Sequence, residues 1–452
     1  MRNLATLSLA RSWKKGLYLH FFIILNLSFY LQCMSKLDFE NSGDAESDAF
    51  LYRGFLTQYL ASLAPLQDNS TNAEVPLYLS ALLFRPLQSV SVRVYPVDSE
   101  NGNLGSFFEY ARIPVPGGIS PGCDPVRVVR VPTTKELLVA GGNNNLIYSF
   151  KIEDNETIAP YVNSSSVAQQ VRNLAVSPDG LKILAAPEST ASPPDPLYRF
   201  TRNPNSGALT IQNSGGYPFG LTCAPRSIAI APNGNNIFVS NITSTSAIQG
   251  FLDNNGVITQ SSTNITLAAN ITSNDNICLH PTKSFLYTSI AQASAPLVGL
   301  KYDSDSNLSF LPNSPFTPTA NYVSTPSLKT RTLAIDPLGK FVAFLYNESS
   351  SRKLQLMHIN QETGALTPTN NPVSVGNAPN ALEWDKSGRF LYFISDDLTN
   401  YQIEVYRVLK DGSLQKTLNS PYTITTMAGT GAIPISLSSI TKSSNVKIGE
   451  YP

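Results

Sequence analysis

Apolar residues recur from residue 126 to residue 395 in short runs that turns rich in Pro, Asp and Gly separate. Six segments with this pattern align without gaps on anchor positions, which are Pro132, Pro178, Pro232, Pro281, Pro337 and Lys386. An aliphatic residue stands four positions before each anchor, and another stands five positions after it. Each segment is therefore predicted to form a strand, a turn and a second strand, at intervals of 46 to 56 residues.

A second kind of turn follows these strand pairs. Its signals are NGNL (101–104), NSGAL (205–209), NNGVI (254–258), ETGAL (362–366) and KDGSL (410–414). Asn-Gly and Asp-Gly turns of this kind connect antiparallel strands. Each unit thus contains about four short strands, and that number at this period is typical of a β-propeller blade.

The two ends of the repeat region supply one further blade. Residues 429–441 match an opening strand, with Leu437 in the position of Leu382, and residues 76–83 and 89–104 match the remaining strands. A blade built from both ends would close the ring and leave no open sheet edge between first and last blade. The expected fold is all-β, a seven-bladed β-propeller over residues 76–441.

The first 33 residues differ from the rest of the chain. Four basic residues and no acid precede an apolar run that ends at Cys33, a pattern that predicts an export signal. The cysteine resembles that of a bacterial lipobox, which implies lipidation of Cys33 and attachment to the membrane of the cell envelope. Cleavage by a signal peptidase nearby, giving a secreted protein, or an uncleaved anchor are the alternatives.

Residues 34–75 are predicted to form a tether, and residues 442–452 a C-terminal tail. The tether begins with a polar, acidic, Ser-rich stretch, as a spacer from a membrane would. Within it, apolar residues from Phe50 to Leu63 recur at helical spacing. This short helix could pack on the following domain or bind a partner.

Composition limits the class of protein more than its function. Charged residues make up 14% of the 452 residues, whereas the chain contains 32 Pro and 27 Gly. This balance argues against a helical bundle, a coiled coil and a charge-driven disordered chain. The formal net charge is +0, so the electrostatic attraction that nucleic-acid binding requires is absent.

The repeated pattern P-[DN]-G-x-x-[IL]-[FY]-V, with a later G-x-L turn, resembles the lactonase-like seven-bladed propellers. These include bacterial 6-phosphogluconolactonases, fungal carboxymuconate-lactonizing enzymes and non-enzymatic repeat proteins. The resemblance covers about residues 76–441. Because one fold hosts many functions, it implies the propeller more strongly than it implies an activity.

In those enzymes the site lies at the mouth of the central channel, on residues that open the innermost strands. The matching position, six before each anchor, holds Val126, Arg172, Arg226, Asp275, Arg331 and Asn380, and Ile435 in the composite blade. Guanidinium groups suit carboxylates and phosphates, so a small-anion site is predicted at the five polar positions. Alternatively, the arginines only pair with Asp275, Asp336 or backbone carbonyls.

Catalysis is less well supported by the sequence than binding. Lactone hydrolysis needs a base that activates water and donors for the developing oxyanion. No histidine stands in the ring of matching positions, where the resemblance would place one, so Asp275 is the one weak candidate base. Guanidinium groups beside Asp275 would lower its pKa and make it a poor base near neutral pH.

No metal or cofactor site is predicted. Asp303, Asp305 and Asn307 have the spacing of three calcium ligands, but the glycine and terminal glutamate of that motif are missing, so we expect a turn. Cys123 and Cys223 lie in equivalent positions two blades apart, too far for a disulfide, and Cys278 is expected to be buried.

The sequence therefore predicts an exported, lipid-anchored, monomeric propeller that acts as a binding module. Its ligand would be a small anion at the channel mouth or a partner protein, and nucleic acid is not expected. One alternative is a lactonase that hydrolyses an anionic sugar lactone. Another is a scaffold that uses only its outer faces.

Overall fold

The fold was determined from a computed structural model, and it is all-β throughout the described residues. The structure describes residues 77–85, 89–113, 128–132, 134–140, 146–153, 157–160, 165–166, 171–187, 196–212, 217–218, 225–241, 247–267, 277–290, 296–318, 331–348, 351–369, 372–426 and 433–441. Residues 1–76 and 442–452, and with them the export signal, Cys33, the tether and the tail, lie outside this range.

The strands fall into seven antiparallel sheets, which we number as blades 1 to 7. Three N-terminal strands belong to blade 7: β1 (Leu77–Arg85), β2 (Ser89–Val97) and β3 (Phe108–Ile113). Blade 1 contains β4 (Val128–Arg130), β5 (Glu136–Ala140), β6 (Leu146–Ile152), β7 (Ile158–Pro160) and β8 (Ser165–Ser166). Blade 2 contains β9 (Val171–Val176), β10 (Lys182–Pro187), β11 (Pro196–Arg202), β12 (Leu209–Ile211) and β13 (Tyr217–Pro218). Blade 3 contains β14 (Pro225–Ile230), β15 (Asn236–Asn241), β16 (Ala247–Asn254) and β17 (Val257–Thr266).

The remaining blades repeat the same order of strands. Blade 4 contains β18 (Cys278–Leu279), β19 (Phe285–Ser289), β20 (Leu297–Tyr302) and β21 (Leu308–Phe310). Blade 5 contains β22 (Leu333–Ile335), β23 (Phe341–Glu348), β24 (Ser351–Ile359), β25 (Leu366–Pro368) and β26 (Val373–Ser374). Blade 6 contains β27 (Asn377–Trp384), β28 (Phe390–Asp396), β29 (Asn400–Val408), β30 (Leu414–Lys416) and β31 (Tyr422–Thr426). The last strand, β32 (Ile433–Thr441), returns to blade 7.

Blade 7 is assembled from both ends of the repeat region, as the sequence predicts. Strand β32 pairs antiparallel with β1, and the register joins Thr441 to Leu77. A side-chain bond strengthens this pairing, because Ser80 Oγ donates to the carbonyl oxygen of Ser438 at 2.9 Å. The pairing satisfies backbone groups of β1 and β32 that would otherwise form sheet edges.

The innermost strands of the seven blades form a closed ring. In order they are β4, β9, β14, β18, β22, β27 and β32, and each contacts the next, with β32 returning to β4. The ring surrounds a central channel. We call the end where these strands begin the mouth end, and the end where six of them turn into the second strand the turn end.

Apolar packing holds neighbouring blades together. The buried apolar residues form seven clusters, and each cluster takes its members from two adjacent sheets, so that every interface in the ring has one. Phe344 of blade 5, for example, is fully buried and packs with Tyr287 of blade 4. A blade has little core of its own, so burial of apolar surface between blades is the main force that stabilises the ring.

Among the described residues, no helix has the length and apolar character that crossing a membrane requires.

Candidate functional site

The residues six positions before the anchors lie at the mouth end of the inner strands. Arg172, Arg226 and Ile435 each occupy a β-bulge, because the pairing with the second strand of the blade skips one residue there. A bulge at an equivalent place in three blades confirms that these positions correspond to one another. Bulges bend a strand and redirect its side chains, and they are frequent next to binding sites.

The other matching positions have different surroundings. Asn380 lies in β27 next to a register shift, and its Nδ2 donates to the carbonyl oxygen of Ala378 at 3.1 Å. Arg331 precedes β22 and is half-buried. Val126 and Asp275 lie outside the described residues, so the candidate base of the sequence stays a prediction.

Arg331 forms an ion pair with the next blade. Its Nη1 lies 2.6 Å from Oε2 of Glu383, which is three residues further along β27 than Asn380. Sequence reasoning names Asp275, Asp336 and backbone carbonyls as partners for the arginines, but not Glu383. Asp336 accepts backbone N–H groups of Leu338 and Phe341 within its own turn.

The second carboxylate oxygen of Glu383 contacts blade 7. Glu383 Oε1 accepts the backbone N–H of Ser439 at 3.1 Å and the Ser439 hydroxyl at 3.4 Å. That hydroxyl also donates to the carbonyl oxygen of Trp384 at 2.8 Å. Hydrogen bonds from both sides hold the Glu383 carboxylate in one orientation inside the channel.

Arg130 adds a second cation to this group. Burial lowers the pKa of the Arg130 guanidinium, the charge of Arg331 acts in the same direction, and the charge of Glu383 opposes both. The Arg130 Nη1 lies 3.5 Å from the carbonyl oxygen of Ser439, a distance at which a hydrogen bond is weak. We call Arg130, Arg331, Glu383 and Ser439 the hub cluster.

Positive charge is concentrated on the ring of inner strands. Counted within two residues of their ends, the described inner strands contain four arginines, one lysine and three carboxylates, those of Glu383, Asp336 and Asp385. The arginines are Arg130, Arg172, Arg226 and Arg331. The side chains of Arg130 and Arg331 act on Glu383, whereas Arg172 and Arg226 are placed here by their strand positions alone.

Sequence reasoning missed Arg130 and Glu383 because it examined one position per blade. These residues lie two and three positions before their anchors, deeper along the channel. A residue-by-residue alignment of the inner strands would have shown them. Alternate residues of a strand point to the same side, so several positions in each inner strand can face the channel.

His280 and Cys278 have structural roles. His280 is buried, its Nε2 bonds the carbonyl oxygen of Gly339 at 3.0 Å, and its Nδ1 accepts the backbone N–H groups of Thr282 and Lys283. Cys278 is buried in β18, as predicted, and its Sγ donates to the carbonyl oxygen of Leu333.

The run that resembles calcium ligands is a turn. Asp303 Oδ1 accepts the backbone N–H groups of Asp305 and Asn307 at 2.9 Å each, and its Oδ2 accepts Nδ2 of Asn307. The carboxylate of Asp303 is therefore committed to its own loop. Among the described residues, no cluster of three or more His, Cys, Asp or Glu side chains could hold a metal ion.

A comparison with protein families shows to which family the chain belongs. The family of lactonases with a seven-bladed β-propeller matches residues 195–379 and 346–438, more than half of the chain. The chain belongs to this family. The predicted resemblance is confirmed, and so is the predicted fold. No curated protein matches the chain by sequence.

Solved structures with the same fold have low sequence identity to this lactonase-family propeller. A protein of Bacteroides fragilis, provisionally assigned as a 6-phosphogluconolactonase, has a TM-score of 0.59 at 12% identity, covering 82% of this chain and 99% of its own. The periplasmic gluconolactonase of Pseudomonas aeruginosa has a TM-score of 0.58 at 15% identity, covering 80% and 99% respectively. At such identity these similarities establish the fold and leave the activity to be argued from the site.

Proposed function

We propose that this protein binds a small anion, with a carboxylate or phosphate group, in the central channel of the propeller. One observation supports the proposal: Arg130 and Arg331 share one carboxylate, that of Glu383, in the hub cluster. Two more arginines, Arg172 and Arg226, stand at equivalent positions of neighbouring inner strands. Glu383 pairs with Arg331 and its charge also acts on Arg130, so one carboxylate serves two guanidinium groups.

The physical argument rests on the cost of gathering like charges. Guanidinium groups around one channel repel each other, and burial weakens the screening by water. An anion that enters the channel removes this repulsion and gains charge-assisted hydrogen bonds. Relief of the repulsion among the cations thus contributes to the free energy of ligand binding.

Titration calorimetry of the full chain in mild detergent, with gluconate and 6-phosphogluconate as probes, tests the proposal. We expect Arg331→Gln and Arg226→Ala each to weaken binding about tenfold, the loss of one charge-assisted contact. Arg352→Gln, on the third strand of blade 5, is the control and should bind as the unchanged protein does. Binding that is unaffected by Arg331→Gln, Arg226→Ala and Arg130→Met alike would reject the channel, and the absence of binding would favour a scaffold that uses its outer faces.

Lactone hydrolysis is the second candidate, and family membership favours it. Glu383 is the carboxylate of the hub cluster that could act as base, and it would have to give up a hydrogen bond to Arg331 or Ser439 to do so. A carboxylate in the channel could accept a proton from water as the water oxygen attacks the lactone carbonyl. The ring C–O bond then breaks, and the proton passes to the leaving alkoxide. The arginines would stabilise the oxyanion that forms in between.

One substitution separates binding from hydrolysis. Glu383→Gln removes a negative charge from the hub cluster while the amide oxygen can still accept the Ser439 N–H. A binding module should then hold 6-phosphogluconate more tightly. A lactonase should lose turnover of 6-phosphogluconolactone by a factor of about 100 or more, as expected when a general base is removed.

We also propose that the propeller is exported and attached to a membrane through lipid on Cys33. The basic residues and apolar run of residues 1–33 support this part of the proposal. Incorporation of labelled palmitate in a bacterial host should stop in the Cys33→Ala variant. Incorporation that persists in this variant would reject lipidation at Cys33.

A further inference from the structure

Six of the seven blades share one turn between their first and second strands. In each of them a backbone N–H bonds the carbonyl oxygen five residues later, at 2.8 to 3.0 Å. The bonded pairs are Val131 and Glu136, Ser177 and Lys182, Ala231 and Asn236, His280 and Phe285, Asp336 and Phe341, and Asp385 and Phe390. Blade 7 has no such turn, because its inner strand β32 and its second strand β1 come from opposite ends of the chain.

The side chain of Lys386 spans the gap that the missing turn of blade 7 leaves between blades 6 and 1. Lys386 belongs to the turn of blade 6, and its Nζ donates to the carbonyl oxygen of Pro132, at the same position in the turn of blade 1, over 3.1 Å. Blade 7 lies between these two blades. The other five anchors are prolines, so the lysine is specific to the blade that precedes the missing turn.

Arg130 brings a second cation to the same end of the channel. It stands two residues before Pro132 and thus on the strand that receives the Lys386 side chain. Burial first, and then the charge of Arg130, lower the pKa of Lys386 to about 8. The charge of Arg130 thus acts on Lys386, and their repulsion is part of the cost of this arrangement.

Among the residues that the structure describes, neither cation has a carboxylate to itself. Both oxygens of Glu383 are bonded, Oε2 to Arg331 and Oε1 to Ser439. Asp385, beside Lys386, accepts the backbone N–H groups of Ser387 and Phe390. The carboxylates nearest in sequence are thus occupied by other donors.

We propose that Arg130 and Lys386 together bind one oxyanion, a carboxylate or phosphate group of a small molecule, at the turn end of the channel, in the gap of the missing seventh turn. This inference rests on the proposed anion binding and assigns it to two residues. The planar guanidinium offers two parallel donors, and the ammonium adds a point charge from the opposite side. The rest of the ligand would extend along the channel toward Arg331 and Glu383, the other charged residues of the hub cluster.

Calorimetry with inorganic phosphate and gluconate tests the assignment. We expect Arg130→Met and Lys386→Met to weaken binding at least tenfold, and Lys386→Arg to retain it. Lys301→Met, which removes an exposed lysine of β20, is the matched control and should change nothing. Binding that survives Lys386→Met but is lost in Arg331→Gln would reject this site and leave the proposed function standing. No binding to the unchanged protein would reject both.

A second measurement needs no variant. Amines of the unchanged full chain are acetylated with a succinimidyl ester, with and without phosphate or gluconate, and Lys386 is followed by peptide mass spectrometry. The anion should slow acetylation of Lys386 at least fivefold and leave Lys301 unaffected. Equal rates at Lys386 with and without a saturating anion would overturn the inference, whatever the stability of the variants.

Discussion

The ring of Phe390 occupies the space beside Gly102 that any larger residue would need. Phe390 begins β28 of blade 6, and Gly102 lies in the turn between β2 and β3 of blade 7. A Cβ on Gly102 would lie 2.6 Å from Cε1 of the Phe390 ring, and the glycine backbone has a φ of +75°. The contact joins the last complete blade to the composite blade that closes the ring.

Within the described residues, the same position makes an equivalent contact at six of the seven interfaces between blades. The residue four positions after each anchor touches the end of the third strand, or the following turn, in the next blade. The pairs are Glu136 with Arg202, Lys182 with Asp253, Asn236 with Ser306, Phe285 with Gly364, Phe341 with Gly412, and Phe390 with Gly102. At this position, blades 1 to 3 form polar side-chain pairs with the next blade. In blades 4 to 6 an aromatic ring packs against a glycine of the next blade.

The Phe390 contact predicts that Gly102→Ala destabilises the propeller by about 2–5 kcal/mol. A positive φ costs an alanine about 1–2 kcal/mol, and displacement of the buried ring adds an overpacking cost of about 1–3 kcal/mol. Gly234→Ala is the matched control, because Gly234 has a φ of +76° but nothing within 4 Å of its added Cβ. Denaturant unfolding followed by tryptophan fluorescence measures both. Equal losses in the two variants would mean that the ring contact contributes nothing.

The polar version of this contact also predicts a loss of stability. Asp253 is fully buried and lies 2.6 Å from Lys182 Nζ and 3.0 Å from Arg199 Nε, both in blade 2. Asp253→Asn would leave two cations without their counter-charge at this interface, so we expect a loss of about 3–5 kcal/mol in the free energy of unfolding. Asp305→Asn, at an exposed turn, is the control and should change stability little. A loss below about 1 kcal/mol in Asp253→Asn would show that this ion pair does not stabilise the ring.

Asp253 also predicts a pH dependence. Burial by itself would raise the pKa of Asp253, but hydrogen bonds from Lys182, the Gly256 N–H and Arg199 outweigh it and lower the pKa. A carboxyl whose folded-state pKa is depressed stabilises the fold above the ordinary Asp pKa and loses this effect as the pH falls through the folded value. Between pH 5 and pH 3 the unchanged protein should therefore lose more stability than Asp253→Asn does. Parallel curves for the two proteins would contradict this assignment.

The regularity of the repeat decides how far the sequence predicts the structure. Blade number, strand order and the composite blade depend on features that every unit repeats, so gap-free alignment on Pro132 and its equivalents was sufficient. The hub cluster depends on residues that occur once, such as Glu383 and Lys386. Their partners come from other blades, and the distance from Arg331 to Glu383 depends on the stagger of adjacent inner strands, which no repeat pattern contains. The lysine in place of proline at 386 was the one visible signal.

His280 predicts lower stability in mild acid. Burial lowers the pKa of His280, although hydrogen bonds to Gly339 and Gln361 oppose this. The folded protein therefore keeps His280 neutral where the unfolded chain, with a pKa of about 6.5, takes up a proton. Such a group stabilises the fold above pH 6.5, and this contribution disappears as the pH falls through the folded pKa.

Unfolding curves from pH 7 to pH 5 measure this effect. The free energy of unfolding should fall in the unchanged protein and in His358→Gln, which alters the exposed histidine of β24, and the fall should be smaller in His280→Gln. A fall of the same size in all three proteins would show that other groups cause the acid sensitivity.

The site proposed at Arg130 and Lys386 predicts that anion affinity depends on pH near 8. Lys386 has a pKa of about 8 in the unliganded protein, and a bound anion favours its charged form. By linkage, gluconate should bind most tightly below pH 7 and progressively more weakly as the pH rises through 8 to 9.5. The carboxylate of gluconate stays ionised over this range, so the change reports the protein. Ionisable groups on the same turn and the adjoining inner strands are Arg130, Arg389, Glu383 and Asp385. Lys386→Arg should bind with an affinity that is constant from pH 6.5 to 9.5, and a decline in this variant equal to that of the unchanged protein would place the titrating group elsewhere.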